Sequence, residues 1–312
     1  MYTKPLNGLS KKSVGIAGGK GASLGEMIGA GFPVPGGFVV TSATFHSFLR
    51  NSALESVIAQ QLHAVDHDDV FSVEKASKEI RNLFKKAVVP EDLRKELLSE
   101  YGKLNAKFVA VRSSATAEDS AALSWAGELE SHLNTTDVDL IDNVKKCWSS
   151  LFTPRAIKYC KEHGLSSDKI GVAVVVQEMV DAVAAGVCFT VHPVTKDRNM
   201  LHIESAWGLG EAVVSGSVTP DAYVVDKKEL IIEEIVVGEQ KKKVIRSAKG
   251  ATMWVPVEKG LQRKQKLAGR EIMELAGICM DIERHYKKPQ DIEWAYRDGR
   301  FFIVQSRPIT TL

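Results

Sequence analysis

The chain has 312 residues, of which 44% are hydrophobic and 26% charged, and its 41 lysines and arginines against 39 aspartates and glutamates give a net charge of +2. This composition excludes disordered, collagen-like and coiled-coil chains, and the length suits two domains or one bilobed domain. The near-balance of charge argues against nucleic-acid binding driven by bulk charge, so a bound anion would need a local site.

The N-terminus lacks the pattern of a secretory leader, and no apolar run reaches the roughly 18 residues that a membrane span needs. The cysteines at 147, 160, 188 and 279 form no Cys-x-x-Cys pair, which is typical of reduced thiols. The eight histidines show neither metal-ligand spacing nor a close catalytic pair. We therefore expect a cytoplasmic globular protein that binds neither nucleic acid nor membrane.

Apolar residues at three- and four-residue spacing predict helices through most of the first half of the chain. The predicted helices are Gly21–Ala30, Ser42–Leu49, Leu54–Val65, Ser72–Ala87, Pro90–Tyr101, Val138–Leu151 and Pro154–His163. Within this region the β-branched run Phe108–Val111 predicts a short strand, followed by small residues from Ser113 to Ala126.

From Ile170 onward the pattern changes to short apolar runs that predict strands. The predicted strands are Ile170–Gln177, Gly186–Val191, Met200–Ser205, Ala222–Val225, Leu230–Val237 and Lys242–Arg246. A long helix at about Leu261–Tyr286 precedes a hairpin of Asp291–Tyr296 and Phe301–Gln305, joined by an Asp-Gly turn. We predict an α+β chain with a helix-rich N-terminal lobe and a β-rich C-terminal lobe.

The first segment that could carry chemistry is Gly15–Met27, which contains Gly18, Gly19 and Lys20. A glycine-rich turn with a lysine at the start of a helix offers amide groups and a cation to phosphate. It is not a Walker A loop, because the spacing is one residue short and Gly21 stands where a serine or threonine should bind the metal. The alternative is a flexible turn.

The second segment is Val109–Asp119, in which Arg112 ends the predicted strand and hydroxyl residues follow it. A guanidinium with short hydroxyl donors suits a polyphosphate. Alternatively, Arg112 simply pairs with Glu118 or Asp119.

The third segment, Glu204–Glu211, contains Gly208 and Gly210 but lacks the third glycine of a dinucleotide-binding turn. A tight turn that packs Trp207 explains it equally well.

The fourth segment is the final hairpin, where Asp291 and Glu293 on one strand and Gln305 and Arg307 on the next each lie two residues apart. Residues two apart share a face of a strand, so the hairpin offers carboxylate and amide oxygens to a hard cation and a guanidinium to phosphate. The competing interpretation is a solvated outer face with cross-strand charge pairs.

Taken in order, the motifs resemble one known family. They are Gly18–Met27, Val34–Phe38, Ala110–Asp119, Ala126–Gly127, Gln177–Val180, Gly186–Phe189, Ala206–Glu211, and Asp291–Trp294 with Gln305–Pro308. Together they closely resemble the N-terminal nucleotide-binding domain of phosphoenolpyruvate synthase (pyruvate, water dikinase), pyruvate phosphate dikinase and rifampicin phosphotransferase. The likeness runs from about Leu6 to Thr310, with Glu128 standing where relatives usually have glutamine.

The resemblance implies an ATP-grasp-like fold with lobes at 1–180 and 181–312 and with ATP and Mg²⁺ bound between them. It implies that Lys20, Arg112 and Arg307 are the catalytic residues, the first two holding phosphates and the third stabilising the transferring phosphoryl group. Asp291, Glu293 and Gln305 would bind magnesium. The implied nucleotide-binding residues are Gly18, Gly19, Lys20, Arg112, Ser113, Thr116, Gln177, Glu178, Met179, Val180, Gly208 and Gly210, of which residues 177–180 would meet adenine through their backbone.

The implied activity is a phosphotransferase that converts ATP to AMP and leaves a phosphoryl group on a histidine. Family members continue into a histidine-bearing domain, and some continue into an acceptor-binding barrel. No histidine here has that context and the sequence stops at Leu312, so we expect both on separate domains or subunits. Two alternatives are the ATP-binding subunit of a phenylphosphate-synthase-like enzyme, with a phenolic acceptor, and a nucleotide-binding module without catalysis.

Overall fold

A computed structural model describes residues 1–116, 130–165, 170–247 and 250–310. The chain divides into two compact units: unit 1 comprises Met1–Glu26 and Gly36–Met179, and unit 2 comprises Met27–Pro35 and Val180–Leu312. Residues 117–119 of the second motif, the Ala126–Gly127 pair and Glu128 lie outside the described residues. The nucleotide-binding roles assigned to lobes 1–180 and 181–312 stay predictions.

The helices of the N-terminal part of the chain confirm most of the predicted periodicity. They are α1 (Val14–Gly29), α2 (Ser42–Asn51), α3 (Leu54–His63), α4 (Val70–Lys86), α5 (Glu91–Lys103), α6 (Leu140–Ser149) and α7 (Pro154–Glu162). The strands of unit 1 are β1 (Thr3–Pro5), β2 (Gly37–Val40), β3 (Val109–Ala115), β4 (Ser131–Thr135) and β5 (Val172–Glu178).

The five strands of unit 1 form one antiparallel sheet in the order β1-β2-β5-β3-β4. Alternation along β3 and β5 gives the sheet two different faces. One face carries Val111, Val174 and their neighbours into a core with Phe48 and Trp148 of the helices. The other face carries Arg112 and further polar residues, and we call it the polar face of unit 1.

Unit 2 contains a six-stranded antiparallel sheet in the order β13-β12-β6-β7-β8-β9 and a separate β10-β11 pair. Its strands are β6 (Ala184–Phe189), β7 (Met200–Trp207), β8 (Asp221–Asp226), β9 (Ile231–Val236), β10 (Lys242–Arg246), β11 (Thr252–Pro256), β12 (Gln290–Arg297) and β13 (Arg300–Pro308). Its helices are the short α8 (Glu211–Val214) and α9 (Gly269–Tyr286). The α+β prediction is therefore confirmed.

Helix α9 begins at Gly269, so the prediction of a start near Leu261 is wrong. The amide of Lys266 donates to the Asp221 carboxylate and the amide of Leu267 donates to the Tyr223 hydroxyl. These bonds to β8 hold the preceding residues out of the helix, and no local sequence period reveals such partners.

Two further expectations concern the cysteines and the membrane. All four cysteines are buried thiols. Among the residues that the structure describes, no helix is both long and apolar enough to cross a lipid bilayer.

Candidate functional site

The glycine segment of α1 lies directly against strand β3. Gly18 has a φ of 67° and a ψ of 178°, a conformation open almost only to glycine, and a β-carbon there would lie 2.1 Å from the carbonyl oxygen of Ser114. The Ser114 hydroxyl donates to the carbonyl of Ala17 at 2.8 Å and accepts from the amide of Gly21 at 3.2 Å. Gly18 therefore permits the contact that fixes the segment around Lys20.

Lys20 is half-buried in this segment, next to the buried Gly19. Burial raises the pKa of the Cys147 thiol of α6 well above its ordinary value, and the positive charge of Lys20 offsets part of that rise. The amide of the adjacent Gly21 donates to the Ser114 hydroxyl of β3, so the backbone at Lys20 lies close to this strand.

Arg112 and Gln177 meet on the polar face of unit 1. The register places Arg112 opposite Val175 and Gln177 opposite Ala110, which puts both polar side chains on the same face. Arg112 is only 9% exposed, and its Nη1 donates to Oε1 of Gln177 over 3.4 Å. The buried Nε2 of Gln177 has no hydrogen-bond partner within the described residues. A buried guanidinium beside an amide with donor capacity suits an anionic or polar ligand.

The hydroxyl residues after Arg112 separate between the two faces of β3. The hydroxyl of Ser113 donates to the carbonyl of Glu130 at 2.6 Å, on the face opposite to Arg112. The hydroxyl of Thr116 accepts from the amide of Gly171 at 3.1 Å. Ser114 shares the face of Arg112 and contacts the glycine segment, although the sequence did not single it out among the binding residues.

The predicted adenine-binding segment, residues 177–180, comprises the last two residues of β5 and the two residues that follow it. The amide of Glu178 donates to the carbonyl of Gly36 and the amide of Met179 donates to the carbonyl of Phe108. Burial raises the pKa of the Glu178 carboxyl, with an opposing contribution from the Gly36 amide. Val180 begins the second stretch of unit 2.

In unit 2 the strand register brings polar side chains from several strands into two neighbouring rows on one face of the sheet. The first row contains Gln305, Glu293, Val187 and Glu204, and the second contains Arg307, Asp291, Phe189 and His202. Adjacent members of a row lie on neighbouring strands, which run about 4.8 Å apart. The predicted residues Asp291, Glu293, Gln305 and Arg307 thus form one continuous surface, which we call the hairpin wall.

Glu204 joins the first row although sequence reasoning did not assign it a role. It lies on β7, two strands away from Glu293, and its carboxylate is 3.7 Å from Nε2 of His202. Only long-range strand pairing reveals this neighbourhood, since Glu204 and Glu293 are far apart in the sequence.

The Asp291–Arg307 pair is the strongest polar contact described in the hairpin wall. Nε and Nη2 of Arg307 donate to Oδ2 of Asp291 at 2.9 and 2.8 Å. Burial raises the pKa of Asp291, Arg307 opposes the rise, and the nearby charge of Glu293 adds to it. The cross-strand charge pair of the competing interpretation is present, but Asp291 is only 15% exposed and Gln305 only 7%. These two side chains are therefore largely shielded from solvent, whereas the side chain of Arg307 is 37% exposed.

The donor set of the hairpin wall fits a magnesium ion that arrives with a nucleotide. Within the described residues no group of three or more His, Cys, Asp or Glu side chains could hold a metal on its own. Magnesium is usually held by one or two carboxylates together with waters and substrate phosphates, and Glu293 with Gln305 offers that kind of partial oxygen set.

The predicted glycine turn of unit 2 connects β7 to α8. Gly208 has a φ of 89°, and a β-carbon there would lie 2.3 Å from the carbonyl oxygen of Val244. Its amide donates to the carbonyl of Val183, and the amide of Leu209 donates to the carbonyl of Val244. Gly210 then precedes α8. The turn requires glycine at 208 because the backbone of 244 approaches so closely.

Comparison of the sequence with known families gives a match over nearly the whole chain. Residues 14–312 match the family described as "Pyruvate phosphate dikinase, AMP/ATP-binding domain". The chain belongs to this family. A probable phosphoenolpyruvate synthase from Methanocaldococcus jannaschii is 47% identical over 98% of the chain and 26% of that protein. A rifampicin phosphotransferase from Bacillus subtilis is 37% identical over 98% of the chain and 36% of that protein.

This family member spans less than half the length of the curated relatives cited here. Among solved structures, D-alanyl-alanine synthetase A from Vibrio cholerae matches with a TM-score of 0.30 and 11% identity, over 75% of this chain and 54% of that one. A TM-score of 0.30 is too low to indicate a shared fold. The ATP-grasp-like fold stays an expectation from the resemblance of the motifs.

Proposed function

We propose that this chain is the ATP-binding component of a phosphoenolpyruvate-synthase-like phosphotransferase, which converts ATP to AMP and passes one phosphoryl group to a histidine on a separate domain or subunit. Water or phosphate takes the other phosphoryl group. The family match supports nucleotide binding. The observation that carries the catalytic part is the first row of the hairpin wall, where Glu293 lies directly opposite Gln305.

In unit 1, Lys20 and Arg112 would bind the phosphates of ATP. A guanidinium that is only 9% exposed interacts more strongly with an anion than one in water, because fewer solvent dipoles screen it. Nε2 of Gln177 would donate to the same ligand. Gly18 and Gly19 would let the backbone approach the phosphates, whereas Ser113 and Thr116 have the weaker case because their hydroxyls already bond to backbone groups.

In unit 2, Glu293 and Gln305 would hold a magnesium ion, which supplies neutralisation of the phosphate charge when bound. Arg307 would stabilise the negative charge that develops on the transferring phosphoryl group. Asp291 accepts two hydrogen bonds from Arg307 on Oδ2, so it would orient the guanidinium, and its carboxylate would also serve the cation.

The adenine would lie against residues 177–180. Since the amides of Glu178 and Met179 already donate within unit 1, adenine would meet the carbonyls of this segment or the amide of Val180. Gly208 and Gly210 would line the nucleotide in unit 2.

The final acceptor is the part of the proposal that the relatives leave open, because one is named for phosphoenolpyruvate and another for rifampicin. We favour pyruvate, since phosphoenolpyruvate synthases are repeated among the relatives at 40–47% identity. A phenolic acceptor is the second candidate.

The decisive experiment follows the phosphoryl group. The 312-residue chain is incubated with β- or γ-labelled ATP, alone and with a histidine-bearing domain of the same family. Alone, it should bind MgATP by calorimetry, hydrolyse it only slowly and stay unlabelled. With the partner, AMP and an acid-labile phosphohistidine on the partner should form. Rapid AMP formation without a partner, or a phosphohistidine on this chain, would contradict the proposal.

A further inference from the structure

A completely buried ion pair lies in unit 2 outside the residues assigned to ATP. Nζ of Lys266 is 2.7 Å from Oδ1 of Asp221, and both side chains are 0% exposed. Oδ2 of Asp221 accepts from the Tyr223 hydroxyl at 2.7 Å and from the backbone amide of Lys266 at 2.8 Å. The carboxylate is thus surrounded by donors.

Such a pair is an expensive way to stabilise a fold. Removing two charges from water costs several kcal/mol per ion, and well-packed apolar residues often serve stability equally well. A buried ion pair with a full set of hydrogen bonds does, however, fix the register of the segments that it joins. The role of this pair therefore depends on the segments that it joins.

The pair fastens the loop between β9 and β10 to the start of β8. The amide of Gly238 donates to Oδ1 of Asp221 at 2.9 Å, and Nζ of Lys266 donates to the carbonyl of Gly238 at 2.6 Å. A β-carbon at Gly238 would lie 2.4 Å from the carbonyl oxygen of Pro220. Both backbone groups of Gly238 are held by the two charges, and the backbones of 220 and 238 are in close contact.

Two residues further along the chain, the side chain of Gln240 binds Trp207, the residue at which the glycine turn begins. Its Oε1 accepts from the amide of Trp207 at 2.8 Å and its Nε2 donates to the carbonyl of Trp207 at 3.0 Å. Gln240 is 1% exposed, and its own amide donates to the carbonyl of Gln262. The indole of Trp207 donates to the carbonyl of Leu261 at 3.1 Å. Trp207 is therefore held at both its backbone groups and its side chain.

We infer that Asp221, Lys266 and Gln240 are positioning residues that hold the Trp207–Gly210 turn in the geometry required for nucleotide binding. The connection runs from the buried charges to Gly238, then to Gln240, and from there to Trp207. The functional half of the inference rests on the proposed ATP site, because Gly208 and Gly210 belong to it. The structural half concerns the turn itself and is measurable without ATP.

The test compares two ion pairs of the same construction. The double variant Asp221→Asn with Lys266→Met removes both buried charges together, so no isolated charge remains. The control, Glu283→Gln with Lys227→Met, removes a second ion pair, whose side chains are 15% and 22% exposed. In this pair Nζ of Lys227 lies 2.8 Å from the carboxylate of Glu283 and 2.7 Å from the carbonyl oxygen of Thr190. Both lysines join a carboxylate to a backbone carbonyl, but the control pair does not contact the segment that leads to Trp207.

Two measurements are made on the full 312-residue chain: hydrogen exchange of peptides covering 207–210, read by mass spectrometry, and MgATP affinity by calorimetry. In the Asp221/Lys266 variant we expect exchange in the turn to rise about tenfold or more and ATP affinity to fall about tenfold. In the control both should match the wild type, even where its melting temperature is lowered equally. Gln240→Leu removes the hydrogen bonds to Trp207 with little change in side-chain volume, and it should reproduce both effects. This variant replaces the double variant if the double variant fails to fold.

Unchanged exchange in the turn would overturn the inference, whatever happens to ATP. Raised exchange with unchanged ATP affinity would overturn its functional half. If the wild type itself fails to bind ATP, the proposed function is wrong, and the exchange data alone decide whether these residues position the turn. Equal exchange in the test and control variants would mean that the pair acts only on global stability.

Discussion

The two arginines predicted to serve phosphate lie in contrasting environments. Arg112 of unit 1 is 9% exposed and donates to the neutral amide of Gln177. Arg307 of unit 2 is 37% exposed on its side chain and donates twice to the carboxylate of Asp291. A buried guanidinium interacts strongly with an anion because little solvent screens it, and a guanidinium that is held by a carboxylate is oriented in advance.

Because their environments differ, we expect the two arginines to affect different quantities, namely ATP affinity and the rate of phosphoryl transfer. We expect changes around Arg112 to weaken ATP in the ground state, and changes on the hairpin wall to act mainly on the rate of transfer. The predictions below use that separation.

The largest effect should come from Glu293→Gln on the hairpin wall. The amide preserves the shape and its position opposite Gln305, but removes a negative charge from the proposed magnesium set. The rate of phosphoryl transfer to a histidine-bearing partner should fall about 100-fold or more, while ATP affinity changes much less. Arg307→Lys should behave similarly, because a lysine cannot reproduce the planar fork.

The control for this charge removal is Glu233→Gln, on the exposed strand β9. Single-turnover rates with labelled ATP measure the effect, and Glu233→Gln should match the wild type. If the rate of phosphoryl transfer in Glu293→Gln lies within twofold of the wild-type rate, the hairpin wall has only a structural role.

The next effect tests the glycine segment of unit 1. Gly18→Ala places a β-carbon 2.1 Å from the carbonyl oxygen of Ser114, at a φ of 67°. The variant should therefore lose about 3 kcal/mol or more of unfolding free energy. Its ATP affinity should also fall, because α1 must move away from β3. Gly15→Ala, in the same helix with nothing within 4 Å of the new carbon, should leave stability unchanged or slightly raised. Urea unfolding of both variants measures the difference, and equal stabilities would refute the close approach.

The third prediction tests binding directly. Lys20→Ala and Arg112→Ala should each weaken MgATP by about 1.5–3 kcal/mol, the range for hydrogen bonds to charged groups. Lys103→Ala removes a lysine that pairs with Glu100 on the exposed part of α5, and it should leave affinity unchanged. Calorimetry that finds wild-type affinity in both test variants would remove those residues from the site.

Much of this arrangement is readable from the sequence, because helical periodicity is local. The predicted helices at 42–49, 54–65 and 72–87 appear with only small changes at their ends. The strands β1, β2, β4 and β11 were missed because each has only three to five residues and depends on a distant partner. No pattern within three to five residues encodes that partner.

In the candidate site, too, local patterns were predictable from the sequence and long-range strand pairing was not. The hairpin wall was predictable, because Asp291 and Glu293 lie two positions apart in one strand, as do Gln305 and Arg307 in the next. Strand β3, however, continues to Ala115 instead of ending near Val111, so alternation sends Ser113 and Ser114 to opposite faces. A prediction that treated these serines as a loop could not separate them. Only the register across the three strands β12, β6 and β7 brings Glu204 into the row of Glu293.

The smallest effect, and the one that sharpens the contrast between the two arginines, is the pH dependence of the Asp291–Arg307 pair. Burial raises the pKa of Asp291 above its ordinary value despite Arg307, so the folded chain holds this proton to higher pH than the unfolded chain does. Between the ordinary aspartate pKa of about 4 and the raised value, the folded state binds more protons, and this group's contribution to stability therefore falls as pH increases. Asp291→Asn should abolish that slope, while Asp281→Asn, from the exposed Asp281–Arg284 pair, should retain it. Unfolding free energies measured from pH 4 to 7 test the difference, which should stay within about 1 kcal/mol. A slope that survives in Asp291→Asn would show that another group, and not the buried Asp291 carboxyl, produces it.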